Sequence, residues 1–449
     1  MNILILGAGE IGFYMAEELA ERNHNICVIE ADEAVAAAVS DKLDVRVVIG
    51  NGAAVSVLEE AGVSECDVFY GLSSSDNTNV VAASIARPLG AKKTIARVHA
   101  DVQQDQWLFD FRTHFGLDYL FSSERIAAVE LAKHIRNPDC LVVEEIARGR
   151  IELQQTKIFP RSQACGKALR ELGLPARVRV GSVQRGREVF IPDGNEVLVE
   201  GDVVTLFGAT NLLAEAAPLF RQEGGSAEET RVVIFGGGQY GLALAQMLEG
   251  GRFRTRIFEA DAKRCAQLSK LLQRTTLIHA DGTSLAQLRE EQVGEADFFV
   301  AATQFDEDNV MTCLQARDLG VRHCVTLIHR ADYADAVTRA GERLGILGAV
   351  SPRVATSREL MRFTAGDRAD TLVTLNGGLD VIEFTIGEGS PLAGRTVLEI
   401  QWPKGSLLVS MTRGSSTSVP AAGDTLKAGD VLVAMIAPSA RKAFHQLLR

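Results

Sequence analysis

The chain has 449 residues, 46% of them hydrophobic and 23% charged, a balance that excludes intrinsic disorder and exceeds what one hydrophobic core can hold. Its formal charge of −11 argues against wrapping nucleic acid or lying on anionic lipid, since either needs a basic field, and leaves docking on a basic protein surface open. The seven cysteines, Cys27, Cys66, Cys140, Cys165, Cys265, Cys313 and Cys324, show no metal-ligand spacing and read as reduced, buried thiols of a cytosolic protein. No metal site is expected. The first strand begins at residue 2, without room for a signal peptide, and no apolar run reaches the length of a membrane span, so any membrane role is expected to be peripheral.

The chain opens on an apolar run that flows directly into Gly7-Ala8-Gly9-Glu10-Ile11-Gly12 and then into a helical pattern from Ile11 to Arg22. A buried parallel strand, a tight turn and a helix whose first amides face a pyrophosphate would need this spacing. Gly7 would make the turn, Gly9 would let the backbone approach phosphate oxygens, and Gly12 would let helix and strand pack closely. Taken alone, Gly-x-Gly-x-x-Gly also suits a plain turn. Here, however, the next strand, Ile26 to Glu30, ends in an acidic residue where a ribose-binding carboxylate belongs.

Strands and helices then alternate. Helix Glu33 to Leu43, capped by Asp32, precedes strand Val45 to Ile49; helix Ala53 to Ala61 precedes strand Asp67 to Leu72. Helix Asn77 to Leu89, strand Lys93 to Val98, helix Asp101 to His114 and strand Asp118 to Phe121 complete the series. Such alternation predicts parallel crossovers and a doubly wound sheet. A further helix, Glu124 to Arg136, ends before Pro138 and reads as a connector.

From Leu141 to Phe220 the pattern turns to short β-type runs, Val142 to Ile146, Glu152 to Thr156, Val178 to Val183 and Val203 to Phe207, with one helical piece at Gly166 to Glu171. The polar stretch Gln222 to Thr230 reads as a linker. The series then repeats. Gly236-Gly237-Gly238-Gln239-Tyr240-Gly241 matches the first glycine motif, and Glu259 stands at the same spacing from it as Glu30 does from the first. Asp76 pairs with Asp306, Asn79 with Asn309, Asp101 with Asp332, and Glu200-Gly201-Asp202-Val203 with Ala428-Gly429-Asp430-Val431. A nearly constant offset across the chain indicates tandem duplication. The expected fold is therefore α/β: two doubly wound, Rossmann-like parallel-sheet domains at 1–122 and 231–350, each followed by a small β-rich α+β domain, at 141–222 and 369–449.

Glu30 and Glu259 can accept hydrogen bonds from ribose hydroxyls, and their charge disfavours a phosphate there, so NAD or ATP/ADP is preferred to NADP; a solvated strand-end glutamate is the plainer alternative. The turns Gly50-Asn51-Gly52 and Ala280-Asp281-Gly282 could line the adenine side or serve only as turns. Ser73 and Ser74 stand at the carboxyl end of the fourth strand, while Asp76 and Asp306 suit helix caps. Arg97, in a strand that should be buried, requires an anion, either phosphate, which is favoured, or a carboxylate. The ungapped register places Ile328 at the matching position, with His329 and Arg330 after it, so the first site is the better candidate for a triphosphate.

An oxidoreductase would need a proton-transferring residue presented to the nicotinamide, and the β-rich segments offer only His445; nor is there a Gly-Lys-Ser/Thr phosphate loop. Binding without turnover is the economical reading, with a nicotinamide-dependent oxidoreductase as the alternative.

The chain resembles, over essentially its whole length, the TrkA family of cytosolic potassium-uptake regulators, in which two nucleotide-binding RCK (KTN) domains are each followed by a small TrkA-C domain. The resemblance rests on Gly7 to Gly12, Glu30-Ala31-Asp32, Gly50-Asn51-Gly52-Ala53, Ser75 to Asn79 and Ile95-Ala96-Arg97-Val98, with second copies at Gly236 to Gly241, Glu259-Ala260-Asp261, Ala280-Asp281-Gly282 and Phe305 to Asn309. It implies a gating ring on the cytoplasmic face of an integral-membrane potassium-translocating subunit, opened or closed by NAD(H) or ATP/ADP. Carried over, the nucleotide contacts fall on Gly7, Ala8, Gly9, Glu10, Ile11, Gly12, Glu30, Asn51, Ser73, Ser74 and Arg97, and on Gly236, Gly237, Gly238, Gln239, Tyr240, Gly241, Glu259 and Asp281. A duplicated chain of this kind could also form its own pseudo-dimer.

Overall fold

Apolar runs that lack polar alternation suit strands covered on both faces, and the computed structural model builds the central strands of both of its large sheets from such runs. It describes all residues except 101, 103–107, 138–139, 147–150, 176, 187, 221–228, 251, 365–369, 376–377, 415 and 449. Strands β1 (Asn2–Leu6), β2 (Asn25–Glu30), β3 (Arg46–Ile49), β4 (Val68–Gly71), β5 (Lys93–Arg97) and β6 (Tyr119–Phe121) form a parallel sheet in the order β3-β2-β1-β4-β5-β6. Ile3, Ile5, Val28, Val68 and Tyr70 enter one covering layer and Leu4, Leu6, Cys27, Ile29 and Phe69 the other. The winding reverses between β1 and β4, which opens a crevice at their carboxyl ends.

An antiparallel sheet follows: β7 (Cys140–Ile146), β8 (Ile151–Lys157), β9 (Arg179–Arg185), β10 (Glu188–Phe190) and β11 (Val203–Gly208), in the order β10-β9-β11-β8-β7. The second parallel sheet, β12 (Thr230–Phe235), β13 (Phe253–Glu259), β14 (Thr276–His279), β15 (Phe298–Ala301), β16 (His323–Leu327) and β17 (Ile346–Val350), repeats the first as β14-β13-β12-β15-β16-β17. The second antiparallel sheet, β18 (Asp370–Leu375), β19 (Leu379–Thr385), β20 (Ser406–Arg413), β21 (Ser416–Ser418) and β22 (Val431–Ile436), runs β18-β19-β22-β20-β21. Both kinds of sheet are thus duplicated, as the repeats predict.

Some expectations change. The edge strands β10 and β21 are three residues long, too short to display alternation in sequence. The helical piece expected at Gly166 to Glu171 narrows to a single 3₁₀ turn at Leu169–Glu171. Of the helix expected from Asp101 to His114, the segment Phe111–His114 is helical, whereas 101 and 103–107 lie outside the described residues. Pro138 and residues 222–228 of the expected linker also lie outside them.

The largest correction concerns the helix read as a connector. The chain divides into two units, one made of Met1–Arg136 and Glu228–Thr364 and the other of Asn137–Ala227 and Ala365–Arg449. Within the first unit, helix Ser123–Arg136 leaves its own sheet and contributes Ala127, Ala128, Leu131, Ala132 and Ile135 to the core of the second sheet, against Leu242, Ala243 and Ala245 of helix Gln239–Glu249. Its alanines allow close helix approach. Helix Pro352–Met361 makes the reciprocal exchange: Leu360 is buried in the first sheet's core, the Tyr70 hydroxyl donates to the Leu360 carbonyl at 2.9 Å, and the Tyr119 hydroxyl donates to Glu359 at 2.7 Å. The two parallel-sheet halves are therefore a pseudo-dimer built by helix exchange.

In the other unit the two antiparallel sheets share one core, where Ile151, Leu153 and Phe207 meet Leu379, Val381, Val409, Val433 and Met435. All seven cysteines are free, and five of them are buried. Among the described residues no helix is long and apolar enough to cross a membrane.

Candidate functional site

The first glycine turn hangs on backbone geometry. Gly7 has φ +94°, and a side chain there would meet the Ser73 Cα at 2.6 Å, so both conformation and space demand glycine. A methyl group at Gly12 would sit 1.9 Å from the Gly7 carbonyl oxygen, which makes the third glycine a condition of the turn itself and not only of helix–strand packing. Position 9 is different. A methyl group there meets nothing within 4 Å, so the turn faces open space at the point where phosphate approach was expected. Gly9 caps helix Glu10–Glu21 without any side-chain cap, which leaves the first-turn amides of Glu10, Ile11 and Gly12 for an anion.

Glu30 is drawn into this turn. One carboxylate oxygen accepts from the Ala8 amide at 2.7 Å, and the other accepts from the Ala31 and Asp32 amides at 2.8 and 3.0 Å. Glu259 repeats the tether, accepting from Gly237 at 2.9 Å and from Asp261 at 2.8 Å. A carboxylate has roughly four acceptor positions. Glu30 thus commits most of its capacity to holding the glycine turn against β2, and Glu259 keeps more of its own.

Other expected residues fall into place around this end of the sheet. The Gly50 amide donates to the Glu30 carbonyl at 2.9 Å, which brings the Asn51 turn alongside. Asn51 accepts from the Ala53 amide at 3.0 Å, and Asp281 accepts from the Thr283 amide and hydroxyl at 2.9 and 2.7 Å. Both side chains brace their own turns, and the Thr283 bonds hold the Asp281 carboxyl below its usual range. Ser73 packs on Gly7, while Ser74 is exposed. In the second copy Gly236 has φ +101°, Gly238 caps helix Gln239–Glu249 and faces open space, and a methyl group at Gly241 would lie 2.0 Å from the Gly236 carbonyl. Tyr240 packs edge-on against His329 at 5.6 Å, and burial followed by the Glu124 charge pushes its hydroxyl pKa up.

In each cleft one side chain that sequence reading left without a role organises the strand ends. Asn79 is fully buried. It accepts from the Ser73 amide and hydroxyl at 2.9 and 2.7 Å and donates to the Ser73 and Arg97 carbonyls at 2.9 and 3.0 Å. Asn309 does the same for Thr303 and the Leu327 carbonyl. The repeat marked both positions, but only folding shows that each asparagine joins the ends of two strands.

The cap assignments are corrected. Ser75 caps helix Asp76–Leu89, and the Asp76 carboxylate instead accepts from the His99 amide at 3.2 Å and contacts His99 Nδ1 at 2.8 Å. Asp306 likewise accepts from the His329 amide at 2.8 Å. These anchors make His99 the counterpart of His329. The strand registers agree, since Gly71 pairs with Ala96 and Ala301 with Thr326, so Leu327 is the counterpart of Arg97 and the ungapped choice of Ile328 is one residue late.

Arg97 meets a carboxylate. Its Nη2 donates to Glu124 at 3.1 Å, with the two side chains 18% and 5% exposed, while its buried Nε finds no partner. Burial pushes the Glu124 carboxyl up, but the Ser122 hydroxyl at 2.6 Å and the Arg97 charge outweigh it and hold the group below the usual carboxylate range. Glu124 opens the exchanged helix, so the first cleft borders the interface between halves.

Comparison with known proteins agrees with this duplicated arrangement. The TrkA-N domain family matches residues 3–109 and 232–352, and the TrkA-C domain family matches 158–221 and 381–449. A Trk system potassium uptake protein TrkA homolog of Archaeoglobus fulgidus is 31% identical over 434 residues, covering 96% of each chain. The Trk system potassium uptake protein TrkA of Halomonas elongata is 31% identical over 449 residues, covering 97% of this chain and 96% of its own. Among solved structures, the GsuK channel bound to NAD shares the fold with a TM-score of 0.63 at 20% identity, over 100% of this chain and 78% of that one. The GsuK RCK domain does so with a TM-score of 0.61 at 20% identity, over 100% and 94%. With both domain families matched twice in alternation, and relatives of this identity aligned almost end to end, the chain belongs to the TrkA family of Trk system potassium uptake proteins.

Proposed function

We propose that the chain is a cytosolic, nucleotide-sensing regulatory subunit that gates a Trk-type potassium-translocating membrane subunit, binding NAD(H) or ATP/ADP without turning it over. The modules are 1–122 and 231–350 for nucleotide and 141–222 and 369–449 for the small domains. Copies associate into a ring held peripherally at the inner face of the membrane. The observation that carries this reading is the position of the two clefts: each glycine turn opens a helix that packs against the helix exchanged from the other half. A ligand that pulls on the turn pulls on that contact, and differential contacts of this kind shift a conformational equilibrium. The phosphate would be held by the amides after Gly9 and Gly238, the ribose by Glu30 and Glu259. That the similarly folded GsuK channel has been captured with NAD supports the same ligand class here.

The test uses the purified full chain and its membrane partner in proteoliposomes. Calorimetry should show NAD and ATP binding that Gly9→Asp combined with Gly238→Asp abolishes, and potassium flux should change with nucleotide only in the unsubstituted protein. A chain that binds neither nucleotide, or flux control that survives both substitutions, would refute the reading.

A further inference from the structure

The exchanged helices start at equivalent places, because Phe121 pairs with Arg97 exactly as far along its strand as Val350 does with Leu327. Three residues further on, the first half carries Glu124 and the second carries Arg353. Glu124 turns to Arg97 of its own half. Arg353 has no such choice, since its own half offers Leu327 at that place. It crosses to the other half instead, where its Nη2 lies 2.8 Å from Glu10, the first residue of helix Glu10–Glu21. Arg353 is 24% exposed and its buried Nε has no hydrogen-bond partner, whereas Glu10 is 63% exposed.

This pairing is poorly matched to its setting. An arginine brought to a helix N-terminus opposes the positive end of the helix dipole, and a largely exposed carboxylate repays little of that cost. An anion seated on the first-turn amides would satisfy amides and guanidinium together, through charge-assisted bonds stronger than neutral ones. We propose that Arg353 is a phosphate ligand of the first cleft supplied by the second half: it holds Glu10 in the ligand-free protein and exchanges it for the terminal phosphate of an adenine nucleotide. This rests on the nucleotide reading above and deepens it. A terminal phosphate offers more charge and more free oxygens than the internal pyrophosphate of NAD, so Arg353 discriminates ADP and ATP from NAD. Arg353 also sits in the first turn of the helix that Tyr70 and Tyr119 fasten to the first sheet, so the exchange acts on the contact between halves. The second cleft is treated differently, because beside Tyr240 the delivered residue is Glu124, already paired with Arg97, so an ion pair arrives there in place of a lone arginine.

Calorimetric titration of the full chain with ATP and with NAD tests the proposal. Arg353→Gln should weaken ATP binding about tenfold and NAD binding less than about threefold, with Arg353→Lys recovering part of the loss. Glu10→Gln, an exposed change that leaves the fold intact, should tighten ATP binding several-fold by releasing the arginine. Unchanged ATP affinity in Arg353→Gln, equal losses for both ligands, or no gain in Glu10→Gln overturns the assignment. If Arg353→Gln loses its circular-dichroism signal, Glu10→Gln decides alone. An unsubstituted chain that binds neither ligand refutes the nucleotide reading itself, whereas normal binding with indifferent variants refutes only the role of Arg353.

Discussion

The two parallel-sheet halves of the first unit agree wherever the backbone sets the terms and differ wherever a side chain does. Both have a positive-φ glycine, a third glycine under the turn's carbonyl, a glutamate tether and a buried asparagine joining two strand ends. Charge separates them. The first half has Arg97 and Glu124 where the second has Leu327 and Arg353, and Glu10 of the first has Gln239 as its counterpart in the second. Duplication has preserved the turns that leave first-turn amides free and has changed the charges set around them. Two clefts alike in backbone and unlike in charge can respond to different ligands.

The strongest challenge to the shared part is to deny the turn its space. Gly12→Ala and Gly241→Ala each place a methyl group about 2 Å from a backbone carbonyl that cannot move without opening the turn. Each should cost more than about 4 kcal/mol, beyond the ordinary range for a surface-helix alanine. Urea midpoints would measure it. A tolerated alanine in one half only would show that the two turns are not built alike.

The next challenge removes the difference between the halves. Arg97→Leu gives the first half the second half's residue and strands Glu124 in its buried place, which should cost about 3 kcal/mol at pH 7. In the natural protein the folded pKa of Glu124 is depressed, so its contribution is present above the unfolded value of about 4.3 and is lost as pH falls through the folded value. With the arginine gone, burial is opposed only by the Ser122 bond and a backbone amide, and the folded pKa is expected to rise above the unfolded one. The sign then reverses: the cost is full above the raised value and disappears below the unfolded one. The deficit in urea midpoint should therefore shrink as pH falls from 7 toward about 4, and Arg97→Leu with Glu124→Leu should recover most of it. A deficit independent of pH would mean that Glu124 is not the group left uncompensated.

The legible and illegible parts of the sequence divide along the same line. Gly7 and Gly236, the apolar strands and the acidic residue closing β2 and β13 are local signals, each fixed by a few consecutive residues, and they revealed the duplicated sheets and the glycine turns. Helix Ser123–Arg136 was legible as a helix but not as an exchanged one, because its alanine stripe fits any close-packed neighbour. Arg97 visibly needed an anion, yet the anion stood on the far side of a strand and a turn. Arg353 meeting Glu10 had no signal at all, since the two are joined only by the folding of both halves. Asn79 lay between: the repeat singled it out, and its four hydrogen bonds required the structure.

The smallest test asks whether the pairs of small domains, unlike the pairs of clefts, remain equivalent. Asp202 and Asp430, each 1% exposed, accept two bonds from Arg185 and Arg413, at 2.9 and 2.8 Å and at 2.7 and 2.6 Å, and one backbone amide each, from Val199 and Lys427. Burial raises both carboxyls, but the arginine and amide bonds outweigh it and leave the folded pKa depressed in each. Their contribution is therefore present above the unfolded value of about 3.9 and lost as pH falls through the folded value. Asp202→Asn and Asp430→Asn keep the shape and an acceptor while removing the charge, so each should cost about 1.5 kcal/mol at pH 7, with the difference from the natural protein closing in strong acid. Equal costs are expected because the same three bonds hold both carboxylates. If one substitution were harmless and the other not, the small domains would have diverged as the clefts have, and the Gly-Asp-Val repeat in the sequence would mark shared ancestry without shared mechanics.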